Sequence, residues 1–312
     1  MQDELRLPKG APLWIALACL TALPACRSSD GAAEPEPEGV PYQSVEPDGP
    51  APIGSFLAEL DKSVRAWTTL ILTARTDADR AKAKGLEREL RARTERRKDE
   101  LIEQLETGPP QNRVRAAGAL GFTGDPAALS PLLAALYDDS PDVVCNALLG
   151  LTLLQLPETP LGPLAQLLQG DPDAQIRANA GYAIRSVIEA GGTPVEAAVR
   201  AAQLGVIDED PLVRVHCALI LGLSSDTPSI PALRDMLLDD LPLVVHSATR
   251  GLVMIGKADD TARGQVGRIL AQALRTAKRE ARPRFRLALV DLAGKNLGED
   301  PGPWIEWANR LP

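Results

Sequence analysis

The chain has 312 residues, a net charge of −8 at neutral pH and only 3% aromatic residues. This acidic balance gives no general basis for binding nucleic acid. Alanine and leucine are abundant and no stretch alternates apolar with polar residues, so the composition indicates an all-α fold.

The first 25 residues have the composition of an export signal. Two basic residues precede an uncharged run, 11–25, which is shorter than the ~20 residues that a membrane-spanning helix needs. The run ends in LPAC (23–26), which resembles the bacterial lipobox. The resemblance implies that residues 1–25 are a lipoprotein signal peptide and that Cys26 is lipidated and becomes the mature N-terminus.

The lipidation site has one competitor. Cys19 ends the similar segment ALAC (16–19), but it would leave only 11–15 as an apolar run, so Cys26 is preferred. A simple anchor and an ordinary cleaved signal stay open as alternatives. Two or three acyl chains hold a protein on a membrane, where a single chain is marginal. The expected location is therefore the cell envelope, on the periplasmic or surface side, with the membrane itself undetermined.

Two non-repeating segments follow the signal. Residues 26–54 are rich in Pro, Glu, Gly and Ser, which predicts a disordered tether. Residues 55–106 have helical periodicity in two runs, the second from about 78 to 105, and this predicts a helical hairpin. The hairpin is interpreted as a cap on the open end of a repeat stack, with a partner-binding helix as the alternative.

A short segment then recurs five times between residues 110 and 255, at intervals of 32, 32, 37 and 31 residues. A helix signal and an acidic or proline-containing turn precede each copy, and small or apolar residues lie at positions 4, 7 and 8 after its first residue, its anchor. A period of this length is typical of stacked helix pairs. The copies NRVRAAGALG, VCNALLGLTL, IRANAGYAIR, VRVHCALILG and VVHSATRGLV begin at Asn112, Val144, Ile176, Val213 and Val244.

A turn such as DPD, followed by V-R-x-x-A and A-L-G, resembles a HEAT repeat in the short variant of the bilin-lyase-like HEAT family. The family's arginine is matched by Arg113, Arg177 and Arg214, whereas Cys145 and Val245 depart from the pattern. The resemblance implies an α-solenoid of about five to six HEAT-like helix pairs over 107–294, with the hairpin at one end. Residues 295–312, which contain two tryptophans, are expected to cap the other end.

No catalytic, cofactor-binding or metal-binding constellation is predicted. The two histidines, His216 and His246, have no Cys, Glu or Asp beside them at metal-ligand spacing. Phosphate-binding loops and nucleophile motifs are also absent from the sequence. The acidic pairs in the turns are expected to serve helix N-termini and the arginine of the next repeat.

The remaining cysteines and one basic stretch have structural interpretations. Cys145 and Cys217 lie two repeats apart, roughly 20 Å, too far for a disulfide and better suited to small buried positions. Residues 263–286 contain eight basic residues and one acidic residue. This stretch is interpreted as a solvated helix face, with contact to an acidic partner or anionic head groups as the alternative.

The resemblance also indicates where a binding surface would lie, because second helices line the concave side of HEAT-like solenoids. Positions 2, 3 and 6 after each anchor are predicted to point away from the core, and an ordinary solvated face is the alternative to a protein or peptide contact. These positions hold Arg115, Asn146, Asn179, Tyr182, His216, His246 and Arg250.

The favoured function is a lipid-anchored, non-enzymatic scaffold or adaptor that binds a protein or peptide partner at the bacterial cell envelope. The alternative, implied by the resemblance, is a chromophore lyase or an accessory subunit of an enzyme. Members of the family with that chemistry act in the cytosol, so the export signal counts against it. The sequence does not name the partner.

Overall fold

The computed structural model describes residues 51–311, and every regular element in that range is helical. Short 3₁₀ turns, Pro126–Ala128 with Ala135–Tyr137 and Thr227–Ser229 with Met236–Leu238, flank two of the helices. The α-helices are α1 (Ile53–Thr73), α2 (Asp77–Arg96), α3 (Lys98–Thr107), α4 (Pro110–Leu120), α5 (Leu129–Ala134), α6 (Pro141–Leu154), α7 (Leu161–Gly170), α8 (Ala174–Glu189), α9 (Glu196–Gly205), α10 (Pro211–Leu223), α11 (Ile230–Asp235), α12 (Pro242–Ala258), α13 (Asp260–Thr276), α14 (Arg282–Ala293) and α15 (Pro301–Asn309).

Twelve of these helices form six consecutive pairs, from α3 with α4 to α13 with α14. The second helices α4, α6, α8, α10, α12 and α14 pack in sequence as one layer, and each contacts the first helix of its own pair. One continuous apolar core runs through the stack. The predicted all-α solenoid is confirmed.

Separate elements close the two ends. At the N-terminal end, α1 and α2 form a hairpin, and α1 packs on α4, where the rings of Trp67 and Phe122 meet edge to face at 5.2 Å. At the other end, α15 packs on α13 and buries Trp304 completely. The indole N–H of Trp304 donates to the carbonyl oxygen of Gly298 at 3.0 Å.

The predicted second hairpin helix, 78–105, is wrong as one element because the chain breaks at Arg97. There φ is −124° and ψ is 24°, so the helical hydrogen-bond ladder is interrupted. The Arg97 guanidinium lies 4.5 Å from the centre of the Phe56 ring and donates to the carbonyl oxygen of Ala51 at 2.8 Å. These tertiary contacts outweigh local helix propensity, and α3 instead becomes the first helix of pair one.

The helix pairs themselves repeat with a longer period, of 101 residues. Pro110, Gly121 and Gly150 recur 101 residues later as Pro211, Gly222 and Gly251. The interrupted first helices recur at the same spacing, since the turn beginning at 126 has its counterpart at 227. The first two pairs of the stack therefore correspond to pairs four and five.

This alignment corrects one anchor. The repeat pattern placed the second anchor at Val144, but α6 begins at Pro141. The anchors of the other second helices lie two residues after the helix start, as Val244 does in α12, so the second anchor is Val143. The position that holds an arginine in pairs one, three and four therefore holds Val144 in pair two and Val245 in pair five.

Glycines allow close contact between second helices at two equivalent places. A Cβ atom at Gly150 would lie 2.5 Å from the carbonyl oxygen of Ala117, and one at Gly251 would lie 2.5 Å from that of Ala218. Both distances are below van der Waals contact with rigid backbone. A larger residue at either position would force the helices apart.

Arginine–aspartate pairs join successive turns along one edge of the stack. In each, an arginine near the start of a second helix donates to the turn aspartate of the next pair, which also accepts from the amide two residues later. The turn aspartates therefore pair with repeat arginines, but with the arginine of the preceding pair and not, as predicted, with that of the next repeat. The closest nitrogen–oxygen distances are 2.9 Å for Arg113–Asp138, 2.8 Å for Arg177–Asp208 and 2.9 Å for Arg214–Asp239.

We call this series of ion pairs the arginine–aspartate ladder. It has no arginine–aspartate pair between pairs two and three of the stack. Val144 occupies the arginine position in pair two, opposite Asp171 of pair three. A different bond, from the Ser186 hydroxyl to the carbonyl oxygen of Thr152 at 2.9 Å, crosses between these two pairs. The coupling between neighbouring pairs therefore varies along the stack.

Candidate partner-binding surface

The middle of the predicted stripe lies in the interior. Asn179 and Tyr182 have no exposed surface, and His216 is 3% exposed. The Tyr182 and His216 rings stack with centroids 5.2 Å apart. The cause is Gly181, where a Cβ atom would lie 3.0 Å from the Cβ atom of His216, so that α10 approaches α8 closely. The prediction that these three side chains point away from the core is wrong.

The same cluster contains a buried charged residue, Arg185, that was not predicted from the sequence. Arg185 is 1% exposed, and its guanidinium carbon lies 4.8 Å from the centre of the Tyr182 ring. Its Nη1 atom is 3.5 Å from Nδ1 of His216, and its Nε atom is 3.6 Å from a Glu189 carboxylate oxygen. The only signal in the sequence was a lone arginine within the otherwise apolar run AIRSVI (183–188).

The electrostatics of this cluster follow from its burial. Burial lowers the pKa of Arg185, and the Glu189 carboxylate partly opposes that shift. Burial, followed by the charge of Arg185, holds the pKa of His216 well below its ordinary range. His216 is therefore neutral at physiological pH, and the arginine carries the charge of the pair.

The two N-terminal members of the stripe stand apart from this cluster. Arg115 and Asn146 are half-buried. The side-chain amide of Asn146 donates to the carbonyl oxygen of Asp142 at 2.8 Å, within its own helix. The structure does not bring either residue into a pocket.

The last two members, His246 and Arg250, line a groove of about 820 Å³ between α12 and α14, at the C-terminal end of α10. This volume lies within the range of ligand-binding pockets, roughly 300–1,000 Å³. We call it the α12–α14 groove. Its lining residues are Gly222, Leu223, Ser225, His246, Thr249, Arg250, Val253, Met254, Lys257, Ala258, Arg284, Leu287, Ala288 and Asp291.

The α12–α14 groove is positively charged. Lys257 pairs with Asp291 at 2.7 Å, and these two are both about half exposed. The guanidinium groups of Arg250 and Arg284 form no ion pair or hydrogen bond with any residue between 51 and 311. Burial, followed by the charges of these two arginines, lowers the pKa of His246. Two arginines without an ion-pair partner in the described part of the chain therefore line the groove.

Neither helix cysteine contributes to the groove. Cys145 and Cys217 are buried free thiols. Burial raises the pKa of Cys145 to about 12 and also raises that of Cys217. In the part of the chain described, no three His, Cys, Asp or Glu side chains are grouped so as to hold a metal ion. Cys19 and Cys26 lie outside the described residues.

A family model for HEAT repeats matches residues 98–185 and 162–253. The chain belongs to the HEAT-repeat family. The first match begins at the start of α3, so it includes the whole of pair one. Among residues 51–311, no helix is both long enough and apolar enough to cross a membrane.

Solved structures with similar folds have low sequence identity. An engineered protein is 17% identical, with a TM-score of 0.50, and the match covers 63% of this chain and 96% of that one. A designed armadillo repeat protein in complex with the peptide (KR)4 is 19% identical, with a TM-score of 0.49 and coverages of 62% and 98%. The complex of CpcE and CpcF of phycocyanin lyase from Nostoc sp. PCC7120 is 20% identical, with a TM-score of 0.42, and the match covers 67% of this chain and 91% of that one. No curated protein sequence matches the chain significantly.

Proposed function

We propose that this protein is a lipid-anchored, non-enzymatic HEAT-repeat scaffold that binds a protein partner at the bacterial cell envelope. The observation that carries the proposal is the open α12–α14 groove, in which two arginines have no ion-pair partner among residues 51–311, although the turn arginines Arg113, Arg177 and Arg214 are paired. HEAT repeats serve many unrelated functions, so the site and not the fold supports this assignment.

The scaffold is well suited to present such a groove. The arginine–aspartate ladder and the close glycine contacts hold the second helices in a defined arrangement. A preorganised surface loses little conformational entropy when it binds, so more of the interaction energy appears as affinity. The groove also has an exposed apolar side chain at its edge, Leu287, which is 58% exposed.

The anchoring part of the proposal rests on the lipobox-like segment that ends at Cys26. Its test compares Cys26→Ala with the matched variant Cys19→Ala by membrane fractionation and by mass spectrometry of the mature N-terminus. Cys26→Ala is expected to lose the lipid mass and the membrane association, whereas Cys19→Ala keeps both. A wild-type protein that is cytosolic and carries no lipid mass contradicts the proposal.

The partner-binding part is tested by photo-crosslinking in cells. A photoreactive residue at Leu287, beside the groove, is compared with one at Ile207, which is 85% exposed and lies at the turn edge of the stack. We expect a specific protein adduct from position 287 that is absent from position 207. Equal capture at the two positions, or no capture at 287, contradicts binding through this surface.

A further inference from the structure

We propose that the α12–α14 groove binds an extended segment of the partner protein that presents carboxylates beside an apolar side chain. This inference rests on the proposed function and specifies the chemistry of its partner.

The charge of the groove argues for carboxylates. Arg250 and Arg284 are half-buried and have no ion-pair partner among the described residues. A guanidinium group presents parallel N–H donors that match a carboxylate in bidentate geometry. Asp291 is engaged by Lys257, so the acidic group in the groove does not neutralise the arginines.

The apolar part of the groove argues for a mixed ligand. Leu287 projects from α14 with more than half of its surface exposed, beside Val253 and Met254 of α12. Methionine is flexible and polarizable, so it adapts to varied apolar partners. An apolar side chain of the bound segment would cover Leu287 and bring its flanking carboxylates to the arginines.

The internal duplication supplies a comparison within the molecule. Helix α6 is the counterpart of α12, 101 residues earlier, and it carries Cys145 and Leu149 where α12 carries His246 and Arg250. Leu149 packs against the core. The same backbone position thus takes an ordinary apolar residue in one half of the stack, and in the other an arginine with no ion-pair partner between residues 51 and 311. The basic character of the groove is therefore not a requirement of the repeat.

The test measures fluorescence anisotropy of short labelled peptides with the full chain. The probe alternates glutamate with leucine, and the comparison peptides alternate lysine with leucine and glutamate with serine. The glutamate–leucine peptide is expected to bind most tightly and to weaken as salt increases, because exposed charges are screened. Equal or tighter binding of the lysine–leucine peptide overturns the proposal.

Variants locate the binding. Arg250→Leu introduces the residue found in the counterpart helix, and it and Arg284→Gln should each weaken binding about tenfold, the loss of a charge-assisted hydrogen bond. The matched control, Arg275→Gln, removes an exposed arginine of α13 outside the groove and should leave affinity unchanged. Leu287→Ser alters an exposed position without touching the core, so it decides the matter if an arginine variant unfolds. Unchanged affinity in Leu287→Ser and in the folded arginine variants overturns the proposal.

Two further outcomes separate this inference from the function on which it rests. If the cellular partner crosslinks at position 287 but the glutamate–leucine peptide does not bind, the scaffold function stands and the acidic chemistry is wrong. Residues 28–50 of this chain contain six acidic residues and no basic residue. If their deletion tightens peptide binding severalfold, the groove is occupied by the protein's own segment, and the assignment to a partner is overturned.

Discussion

Removing one ion pair of the arginine–aspartate ladder, Arg177–Asp208, should destabilise the whole stack. Arg177 donates to the two carboxylate oxygens of Asp208 at 2.8 and 2.9 Å and to the carbonyl oxygen of Asp171 at 3.0 Å. The Arg177 and Asp208 side chains are only 11% and 14% exposed. Charge-assisted hydrogen bonds of this kind contribute about 1.5–3 kcal/mol, so we expect Arg177→Ala to lower the free energy of unfolding by about 2–3 kcal/mol. In thermal unfolding this corresponds to a Tm decrease of roughly 4–10 °C for a chain of this size.

The matched control is Arg200→Ala. Its ion pair with Glu196, at 3.4 Å, lies within one helix, and the side chains are 69% and 88% exposed. Exposed pairs contribute only about 0–1 kcal/mol. A double-mutant cycle of Arg177→Ala with Asp208→Asn should give a coupling energy above about 1 kcal/mol. Equal destabilisation by Arg177→Ala and Arg200→Ala, or a coupling energy near zero, would refute the reasoning.

The same pair gives an acid dependence with a defined sign. Burial raises the pKa of Asp208, but hydrogen bonds from Arg177 and from the Asp210 amide lower it more, so the pKa lies below its ordinary value. A carboxyl group with a lowered folded-state pKa contributes stability above the unfolded-state pKa, about 3.9, and loses that contribution as the pH falls through its folded-state pKa. Arg177→Ala should therefore lose less stability than wild type on acidification below about pH 4.

Three further predictions concern other features of the stack. Val144→Arg places an arginine opposite Asp171, as in the paired turns, and should raise the free energy of unfolding in urea by about 0.5–1 kcal/mol; a loss would show that this site does not accept an arginine. Gly251→Ala should lower the free energy of unfolding by about 1–3 kcal/mol in the same assay, because its Cβ atom would lie 2.5 Å from a backbone oxygen of α10. The control is Gly85→Ala in α2, where a Cβ atom meets nothing within 4 Å and the free energy of unfolding should rise by about 0.5–1 kcal/mol. Burial lowers the pKa of His216, so wild type should lose stability as the pH falls from about 6.5 to 5, and His216→Gln should lose less; parallel pH profiles would contradict this.

The repeat pattern predicted the helix pairs because it records contacts within one unit. Apolar positions 4, 7 and 8 after each anchor give the buried side of a second helix whatever lies beyond it. The break at Arg97 was not predictable in the same way. It depends on Phe56 and Ala51, more than 40 residues earlier in the chain.

The binding surface was predicted in part, for a related reason. His246 and Arg250 do line a groove, but Tyr182 and His216 were assigned to the same exposed face and are buried. Their burial depends on how closely α8 and α10 approach, which is set by Gly181 and has no signature within one repeat. Arg284 appeared in the sequence only as part of a basic stretch, because its place beside α12 depends on contact between pairs.

The spacing of 101 residues has a consequence for how such a chain lengthens. Its unit of growth is a block of three helix pairs, since the interrupted first helix and both glycine contacts recur only once in each block. An additional copy of residues 110–210, inserted after residue 210, would end against α10, as the present block does, and would place α4 where α10 now follows α9. Extension by whole blocks thus keeps the order of interrupted and uninterrupted first helices, whereas extension by one pair changes that order. The molecule has the design of a modular rod with a three-pair module, and its charged groove belongs to the last module alone.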